Sequence, residues 1–259
     1  RLRGVTFRYP GADRPVLDAL DLYIPAGQRL AIVGLNGAGK TTLVKLLCRL
    51  YDPDGGSIEV DDIDLCTVDA ESWRARLGVV FQDFIHWQLP VRDNIDLRHT
   101  HSPGAVDEAR DRAATRAGLD TIIDALPSRW DTPLHPAARG GVDLSGGQWQ
   151  RVALARGLRA VEEGASVLVL DEPTANLDPR AELEFYDAVL TQPLAGDRPV
   201  TTILISHRFA TVRHADRIVV LDGGKVVEDG THDELVAARG RYHDLFESQA
   251  KTYAETTDG

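Results

Sequence analysis

Eight consecutive residues near the N-terminus have the types and spacing of a loop that binds phosphate. The pattern G-x-x-x-x-G-K-[ST] is fulfilled by Gly34, Leu35, Asn36, Gly37, Ala38, Gly39, Lys40 and Thr41. In such a loop, successive backbone N–H groups converge on an anion, and glycines let the backbone approach it closely. Lys40 is placed to reach the β- and γ-phosphates of a nucleotide, and the Thr41 hydroxyl to ligate Mg²⁺. Thr42 is expected to contact the phosphates as well.

A simpler interpretation of this loop is a glycine-rich turn before an ordinary helix. The elements around it argue otherwise. A buried strand is predicted by the apolar run 30–33, and a helix by apolar residues at helical spacing over 41–50. Strand, loop, Lys-Thr pair and helix therefore occur in the order that phosphate binding requires.

Two carboxylates follow a second apolar run, at residues 167–170. Asp171 and Glu172 would stand at the carboxyl end of a buried strand, where ligands bind in sheets of this kind. Asp171 suits a Mg²⁺ ion held through water, and Glu172 is placed to act as general base on an attacking water. The competing interpretation is a helix cap, which Pro173 at a first-turn position also fits.

A second anion site is predicted at Leu144-Ser145-Gly146-Gly147-Gln148, just before a helix expected over 148–158. The Ser145 hydroxyl and the N–H groups of Gly146 and Gly147 would meet at the helix start. An N-capped helix without a ligand is the plainer alternative. This site lies far along the chain from the phosphate loop, so the two are not readily folded onto one another within one chain.

In this combination and order, the motifs resemble the ATPase domain of ATP-binding cassette (ABC) transporters, and the similarity extends from about Val5 to Gln249. The resemblance implies an α/β fold: a P-loop NTPase with a RecA-like parallel core sheet, an N-terminal antiparallel β subdomain and an inserted α-helical subdomain. Residues 1–82 and 151–259 would form the β subdomain and core, and residues 83–150 the helical subdomain with the signature. All 259 residues would form one ABC ATPase domain.

The resemblance also assigns residues that spacing alone does not. Tyr9 would stack on adenine, although a tyrosine at a strand end is more often simply a half-buried residue without a ligand. Gln82 would sense the γ-phosphate and Mg²⁺. His207 would contact the γ-phosphate and orient the water and Glu172, although a lone His at a strand end is usually a surface residue. Asp178, in the run 175–178, would lie in the loop that crosses the dimer interface.

In the family, the signature caps the γ-phosphate of ATP bound to a partner. The resemblance therefore implies that Ser145, Gly146, Gly147 and Gln148 complete a site on a second ABC ATPase domain, identical or different. Two ATP molecules would be held head to tail between the domains. ATP would close the dimer and hydrolysis would open it, as a switch between two states.

Composition limits the classes of partner. The chain has 40 acidic residues against 29 Lys and Arg, for a formal net charge of -11. This excess argues against nucleic acid, whose binding rests on clustered cations. No apolar run approaches the roughly 18–20 residues that span a bilayer. The two cysteines, Cys48 and Cys66, do not make a disulfide framework and are expected to be small buried residues in a reducing cytosol.

Several segments are similar to exporter ATPase domains: residues 7–11, 205–208, 215–218 and 229–235. In exporters a transmembrane domain precedes the ATPase on the same chain. The absence of Met predicts a preceding segment here too. The expected function is thus the ATP-hydrolysing motor of an exporter, on the cytoplasmic face of a bacterial membrane. The alternatives are a separate importer subunit and a soluble ABC ATPase of translation or DNA repair, which the acidic balance disfavours.

Two departures from the family pattern stand near the signature. Trp149 follows Gln148 where arginine is usual, and residues 135–141 lack the glutamate of the exporter pattern. That segment normally touches the membrane domain, so the departure concerns transport more than hydrolysis. The cargo is chosen by transmembrane residues and is not encoded here.

Local patterns predict the remaining elements. Alternating residues indicate antiparallel strands at 3–9 and 20–24, and short apolar runs indicate strands at 79–81 and 202–205. A further strand is expected at 57–60, after the turn at 52–56. Helices are expected over 105–117, 121–126 and 231–249. Residues 218–227 are typical of a hairpin that turns at Asp222-Gly223-Gly224.

Overall fold

A computed structural model describes residues 1–97, 103–174 and 198–257, together with residues 182, 185, 186, 189, 194 and 196. For residues 103–107, 210 and 250–257 it describes the backbone only. The chain divides into two compact units, Arg1–Ala75 with Thr201–Gly259, and Arg76–Val200. The division expected at residues 83–150 stays a prediction. Within the described ranges, every helix is too short or too polar to cross a bilayer.

The elements follow one another in α/β order. The strands are β1 (Leu2–Phe7), β2 (Leu17–Leu22), β3 (Arg29–Val33), β4 (Gly55–Val60), β5 (Ile63–Asp64), β6 (Leu77–Val80), β7 (Val167–Asp171), β8 (Thr201–Ile205), β9 (Arg217–Asp222) and β10 (Lys225–Gly230). The helices are α1 (Lys40–Leu47), α2 (Ala70–Arg74), α3 (Val91–Ile95), α4 (Pro103–Arg116), α5 (Asp120–Ala125), α6 (Gly146–Glu162), α7 (Phe209–Val212), α8 (His232–Ala238) and α9 (Arg241–Thr257).

The first unit contains an antiparallel sheet in the order β2-β1-β4-β5. Leu2, Val5 and Phe7 on β1 alternate with more exposed residues, as expected for strands with one buried face. Leu17, Leu20 and Leu22 on β2 pair with them across the ladder. The predicted antiparallel β subdomain is therefore confirmed.

The phosphate loop follows the strand β3, which lies in the same unit between two parallel neighbours, β8 and β9. The strand β10 closes this side as an antiparallel edge, joined to β9 by the predicted hairpin. Leu30 to Val33 are almost fully buried, which explains why all four residues of this run are apolar. Helices α7, α8 and α9 pack their apolar residues on one face, around Phe209 and Tyr242.

The second unit is mainly helical around a parallel pair of strands, β6 and β7. The helix α6 crosses β6 closely. A Cβ on Gly78 would lie 2.5 Å from the Gly157 carbonyl oxygen, so neither strand nor helix has room for a larger residue there. Helices α4 and α5 agree with the helices expected at 105–117 and 121–126.

Two local expectations are wrong. The single helix expected at 231–249 is two helices, because Arg239 adopts a left-handed conformation (φ 52°) and ends α8 before Gly240. A Cβ at Gly240 would lie 2.2 Å from Glu228 Oε1, so a larger residue at the break would have to displace that carboxylate. Cys48 is buried as expected, but Cys66 is exposed, on a short 3₁₀ turn at the surface.

Candidate nucleotide-binding and hydrolytic residues

At two positions of the phosphate loop, the backbone angle and the close contacts leave room for glycine only. Gly34 has φ 152° and Gly39 has φ 105°. A Cβ at Gly34 would lie 2.2 Å from the Leu221 carbonyl oxygen, and one at Gly39 would lie 2.7 Å from Leu17 Cδ2. The loop is thus held against neighbouring backbone, while Asn36 and Gly37 at its tip are exposed.

Lys40 begins the helix α1 and turns back over the loop. Its Nζ donates to the carbonyl oxygens of Gly34 (2.8 Å) and Leu35 (3.0 Å), and the side chain is buried. The ammonium group therefore stands beside the loop and the N-terminus of α1, whose dipole also favours an anion. Thr41 is exposed next to it, and Thr42 is buried.

Tyr9 lies beside this helix in an aromatic group with Phe7 and Tyr51. The Tyr9 ring packs edge-on against both, at centroid distances of 5.1 and 5.5 Å. Its hydroxyl shares a hydrogen bond of 3.2 Å with Thr42 Oγ1. The side chain of Tyr9 is half-buried, and Lys45 Nζ lies over its ring at 5.4 Å from the centroid. An aromatic ring thus stands next to α1.

Strand register places His207 at the same sheet edge as the phosphate loop. Ile32 on β3 pairs in parallel with Ile205 on β8, and Gly34 and His207 each follow two residues later. The His207 side chain is exposed, while its neighbours Ser206 and Phe209 are buried. The first unit therefore brings together the loop, Tyr9 and His207.

The same relationship holds in the second unit between Gln82 and Glu172. Val80 on β6 pairs in parallel with Leu170 on β7, so Gln82 and Glu172 each lie two residues beyond a matched pair. The carboxyl ends of parallel strands meet at one edge, where such sheets bind ligands. Asp171 ends β7 and is 1% exposed, whereas Glu172 is half-buried and Gln82 exposed.

Glu172 has a backbone conformation that is costly for a residue with a side chain. Its φ is 49°, in the left-handed region. Gln150 on α6 donates from Nε2 to the Glu172 carbonyl oxygen at 3.4 Å. Strain of this kind is kept at functional sites when the surroundings determine it. The motif does not reveal the Gln150 contact, because the two residues are distant in the sequence.

The signature forms the first turn of α6, two residues earlier than expected. Ser145 caps the helix: Gln148 N–H donates to Ser145 Oγ (3.3 Å), and Ser145 N–H donates to Gln148 Oε1 (2.9 Å). Ser145 and Gly146 are exposed at the N-terminus of this helix of 17 residues. The cap and an anion site are compatible, because the N–H groups of the first turn have no partner within a helix.

Two polar residues, Asn94 and Arg156, donate hydrogen bonds that fix the backbone of the loop after Gln82. Asn94 Nδ2 donates to the carbonyl oxygens of Trp87 (3.0 Å) and Leu89 (2.9 Å). Arg156 on α6 donates to the carbonyl oxygens of Asn94 (2.6 Å) and Ile85 (3.2 Å). Burial lowers the pKa of Arg156 to about 10, so this side chain stays charged at neutral pH.

The side chains of that loop point outward as apolar surface. Ile85, Trp87 and Leu89 are 58%, 41% and 38% exposed. Apolar side chains gathered in this way mark a contact with another molecule more often than isolated ones do.

The structure locates neither Asp178 nor a bound Mg²⁺ ion. Asp178 and the run 175–178 lie outside the described residues. Nowhere in the described ranges do three or more His, Cys, Asp or Glu side chains gather closely enough to hold a metal. The oxygens of Thr41 and Asp171 are nevertheless of the type that Mg²⁺ takes, since this ion commonly uses one or two protein oxygens with phosphates and water.

Comparison with known proteins identifies the family. A family profile described as "ABC transporter" matches residues 17–175. This chain therefore belongs to the ABC transporter family.

The relatives are longer proteins. A multidrug efflux ATP-binding/permease protein of Mycobacterium tuberculosis is 42% identical over 247 residues, which are 95% of this chain and 20% of that protein. An ATP-dependent lipid A-core flippase of Bordetella pertussis is 42% identical over 249 residues, 95% of this chain and 38% of the flippase. The structure of a bacterial Atm1-family ABC exporter with ATP bound is similar to this chain, with a TM-score of 0.85 and 38% sequence identity. The match covers 96% of this chain and 41% of the exporter chain.

Proposed function

We propose that this chain is the ATP-binding and ATP-hydrolysing motor domain of an ABC exporter. The observation that carries the proposal is Glu172, held in a left-handed backbone directly after the buried Asp171. It occurs in a chain whose phosphate loop has the glycines and the lysine that nucleotide binding needs. The likeness to an exporter with ATP bound supports it.

ATP would be bound through its phosphates and its base. The N–H groups of Gly37, Ala38 and Gly39 and the first turn of α1 would receive the phosphates, with Lys40 exchanging loop carbonyls for phosphate oxygens. Gly34 and Asn36 would shape the loop, and Thr42 would add a hydroxyl donor. The Tyr9 ring would stack on adenine. Mg²⁺, when bound, would be held by Thr41, Gln82 and Asp171 and would neutralise phosphate charge.

Hydrolysis would need little covalent chemistry from the protein. Glu172 would accept a proton from the attacking water, which requires a carboxylate at a fixed position. His207 would contact the γ-phosphate and orient that water, and Gln82 would register the γ-phosphate. Most of the rate enhancement would come from positioning and charge stabilisation.

A second ABC ATPase domain would be the obligatory partner. Ser145, Gly146, Gly147 and Gln148 present an exposed helix start that fits an anion, and in the family this element caps ATP on the other domain. Asp178 would lie beside that interface. ATP would close two such domains, and loss of the γ-phosphate would open them. No role for nucleic acid is proposed.

A transmembrane domain, fused N-terminally, would be the second partner. The exposed side chains of Ile85, Trp87 and Leu89 form an apolar surface that the membrane domain would cover. The motor would then lie at the cytoplasmic face of a bacterial cell membrane, and its cycle would drive a substrate across.

Fractionation of the source cells tests this placement, with an antibody raised against the chain. The proposal predicts a membrane band far above 28.3 kDa that resists high salt, with Mg-ATP hydrolysis in the same purified protein. A band near 28.3 kDa that salt removes from the membrane, or that is free in the cytosol, would contradict the exporter assignment. It would favour a separate importer subunit or a soluble ATPase.

A further inference from the structure

The side chain of Gln249 binds the backbone on both sides of Arg208. Its Nε2 donates to the His207 carbonyl oxygen at 2.6 Å, and its Oε1 accepts from the Phe209 N–H at 2.8 Å. A primary amide carries an NH₂ donor group and a carbonyl acceptor in one plane, so it can hold two backbone groups at once. This contact joins the helix α9 to the loop that follows β8.

Two polar groups of the loop that carries His207 are bound within the loop itself. Arg208 N–H donates to Ser206 Oγ at 3.0 Å, and Thr211 Oγ1 donates to the Arg208 carbonyl oxygen at 2.6 Å. These bonds fix the turn into α7. The carbonyl of His207 is held from outside the loop by Gln249. The peptide that carries the imidazole is therefore oriented by a residue 42 positions away in sequence.

Gln249 is well placed for this contact because the helix α9 is anchored along one face. Tyr242, Phe246 and Gln249 stand at i, i+4 and i+7, which share a helix face. The rings of Tyr242 and Phe246 pack edge-on against Phe209, at centroid distances of 5.1 and 5.9 Å. The anchored face thus continues, one turn further, into the amide of Gln249.

The beginning of α9 is fixed as well. Glu228 on β10 accepts hydrogen bonds from the N–H groups of Arg241 and Tyr242, the latter at 2.8 Å. The Tyr242 hydroxyl shares a hydrogen bond of 2.8 Å with His232 Nδ1. A helix held at its first turn and along one face can transmit its position to Gln249 and so to the His207 loop.

We propose that Gln249 is a positioning residue for ATP hydrolysis, which acts through the His207 backbone. The inference rests on the proposed role of His207 at the γ-phosphate. By fixing the His207 peptide, Gln249 would keep the imidazole oriented for the transition state without touching nucleotide. A displacement of about 1 Å at a catalytic group is enough to cost much of the rate.

The test compares steady-state ATPase kinetics in the protein at the full length that its gene encodes. The variant Gln249→Ala removes both hydrogen bonds. Gln249→Glu keeps an acceptor for the Phe209 N–H but, as a carboxylate, cannot donate to the His207 carbonyl. Both are expected to lower kcat about tenfold, with KM for ATP within about twofold, because orientation in the transition state is what is lost. Asp244→Asn, exposed on the same helix, is the control and should keep the wild-type kcat.

Melting temperatures separate positioning from folding. Gln249→Glu is expected to melt within about 2 °C of wild type, so a lower kcat in that variant reports orientation. If both Gln249 variants keep the wild-type kcat, or if KM rises while kcat holds, the inference is overturned.

A double variant separates the inference from the proposed function on which it rests. If Gln249 acts through His207, Gln249→Ala should slow a His207→Ala background by less than about twofold. Full multiplication of the two effects would place Gln249 in another role and refute the inference. An unchanged rate in His207→Ala alone would refute the proposed role of His207 itself, and the inference with it.

Discussion

The imidazole ring of His86 stacks face to face on the indole of Trp149, with 4.4 Å between centroids and 1° between planes. Trp149 Nε1 also donates to Asp143 Oδ1 at 3.3 Å. One residue thus joins the loop after Gln82 to the segment around the signature. This contact gives a physical role to the residue at which the chain departs from the family's usual arginine.

The stack between His86 and Trp149 should be measurable as a coupling energy. In a double-variant cycle with His86→Ala and Trp149→Ala, we expect about 0.5–1.5 kcal/mol of interaction in the free energy of unfolding. The measurement is denaturant unfolding of all four proteins. As a control, Trp73→Ala, whose indole donates to the Leu47 carbonyl oxygen, should be additive with His86→Ala. Additivity in the test pair as well would show that the stack contributes nothing.

The glycines of the phosphate loop should differ in how well they tolerate a side chain. Gly34→Ala would place Cβ 2.2 Å from the Leu221 carbonyl oxygen, whereas Gly37→Ala meets no heavy atom within 4 Å and has only an unfavourable φ of 81°. We expect destabilisation of about 2–4 kcal/mol for Gly34→Ala and about 1–2 kcal/mol for Gly37→Ala. Thermal unfolding measures both, and an equal or reversed ranking would contradict the described loop geometry.

Much of this loop could be predicted from the sequence, and the reason is locality. The strand β3, the loop and α1 are consecutive, and each has a strong pattern of its own. The hairpin β9–β10 is predictable for the same reason. The helical pattern over 231–249 does not indicate the break between α8 and α9, although Gly240 after Arg239 is a helix-end signal. The contacts of Gln150, Gln249 and His86 had no signal, because each joins residues that only the tertiary fold brings together.

Lys40 is expected to supply much of the affinity for ATP. Lys40→Ala removes the ammonium that now bonds the carbonyls of Gly34 and Leu35, and should weaken ATP binding about tenfold to hundredfold, the value of one or two charge-assisted hydrogen bonds. Isothermal titration calorimetry measures the change. Lys225→Ala, which removes an exposed ion pair with Asp18, is the control and should bind like wild type. Unchanged affinity in Lys40→Ala would remove the phosphate-loop assignment.

Tyr9 is expected to recognise the base rather than the phosphates. Tyr9→Ala should lower ATP affinity about fivefold to hundredfold, the range for loss of one aromatic stack on a base. Tyr9→Phe loses the hydroxyl contact to Thr42 but keeps the ring, and should bind ATP within about twofold of wild type. Binding of inorganic triphosphate distinguishes the two roles: it should be the same in Tyr9→Ala as in wild type. An equal loss for triphosphate would mean that Tyr9 supports the loop instead.

Glu172 is proposed to drive hydrolysis of an ATP molecule that is sandwiched between two such domains. The direct measurement is phosphate release from Mg-ATP by Glu172→Gln, together with the size-exclusion profile of this variant in Mg-ATP. Glu108→Gln, at an exposed residue of the same unit, is the control. For Glu172→Gln we expect a rate lower by about 10²–10⁴-fold. The variant should retain ATP and accumulate as a dimer, which wild type and control should not do. A wild-type rate, or a variant that stays monomeric with ATP bound, would contradict the proposal.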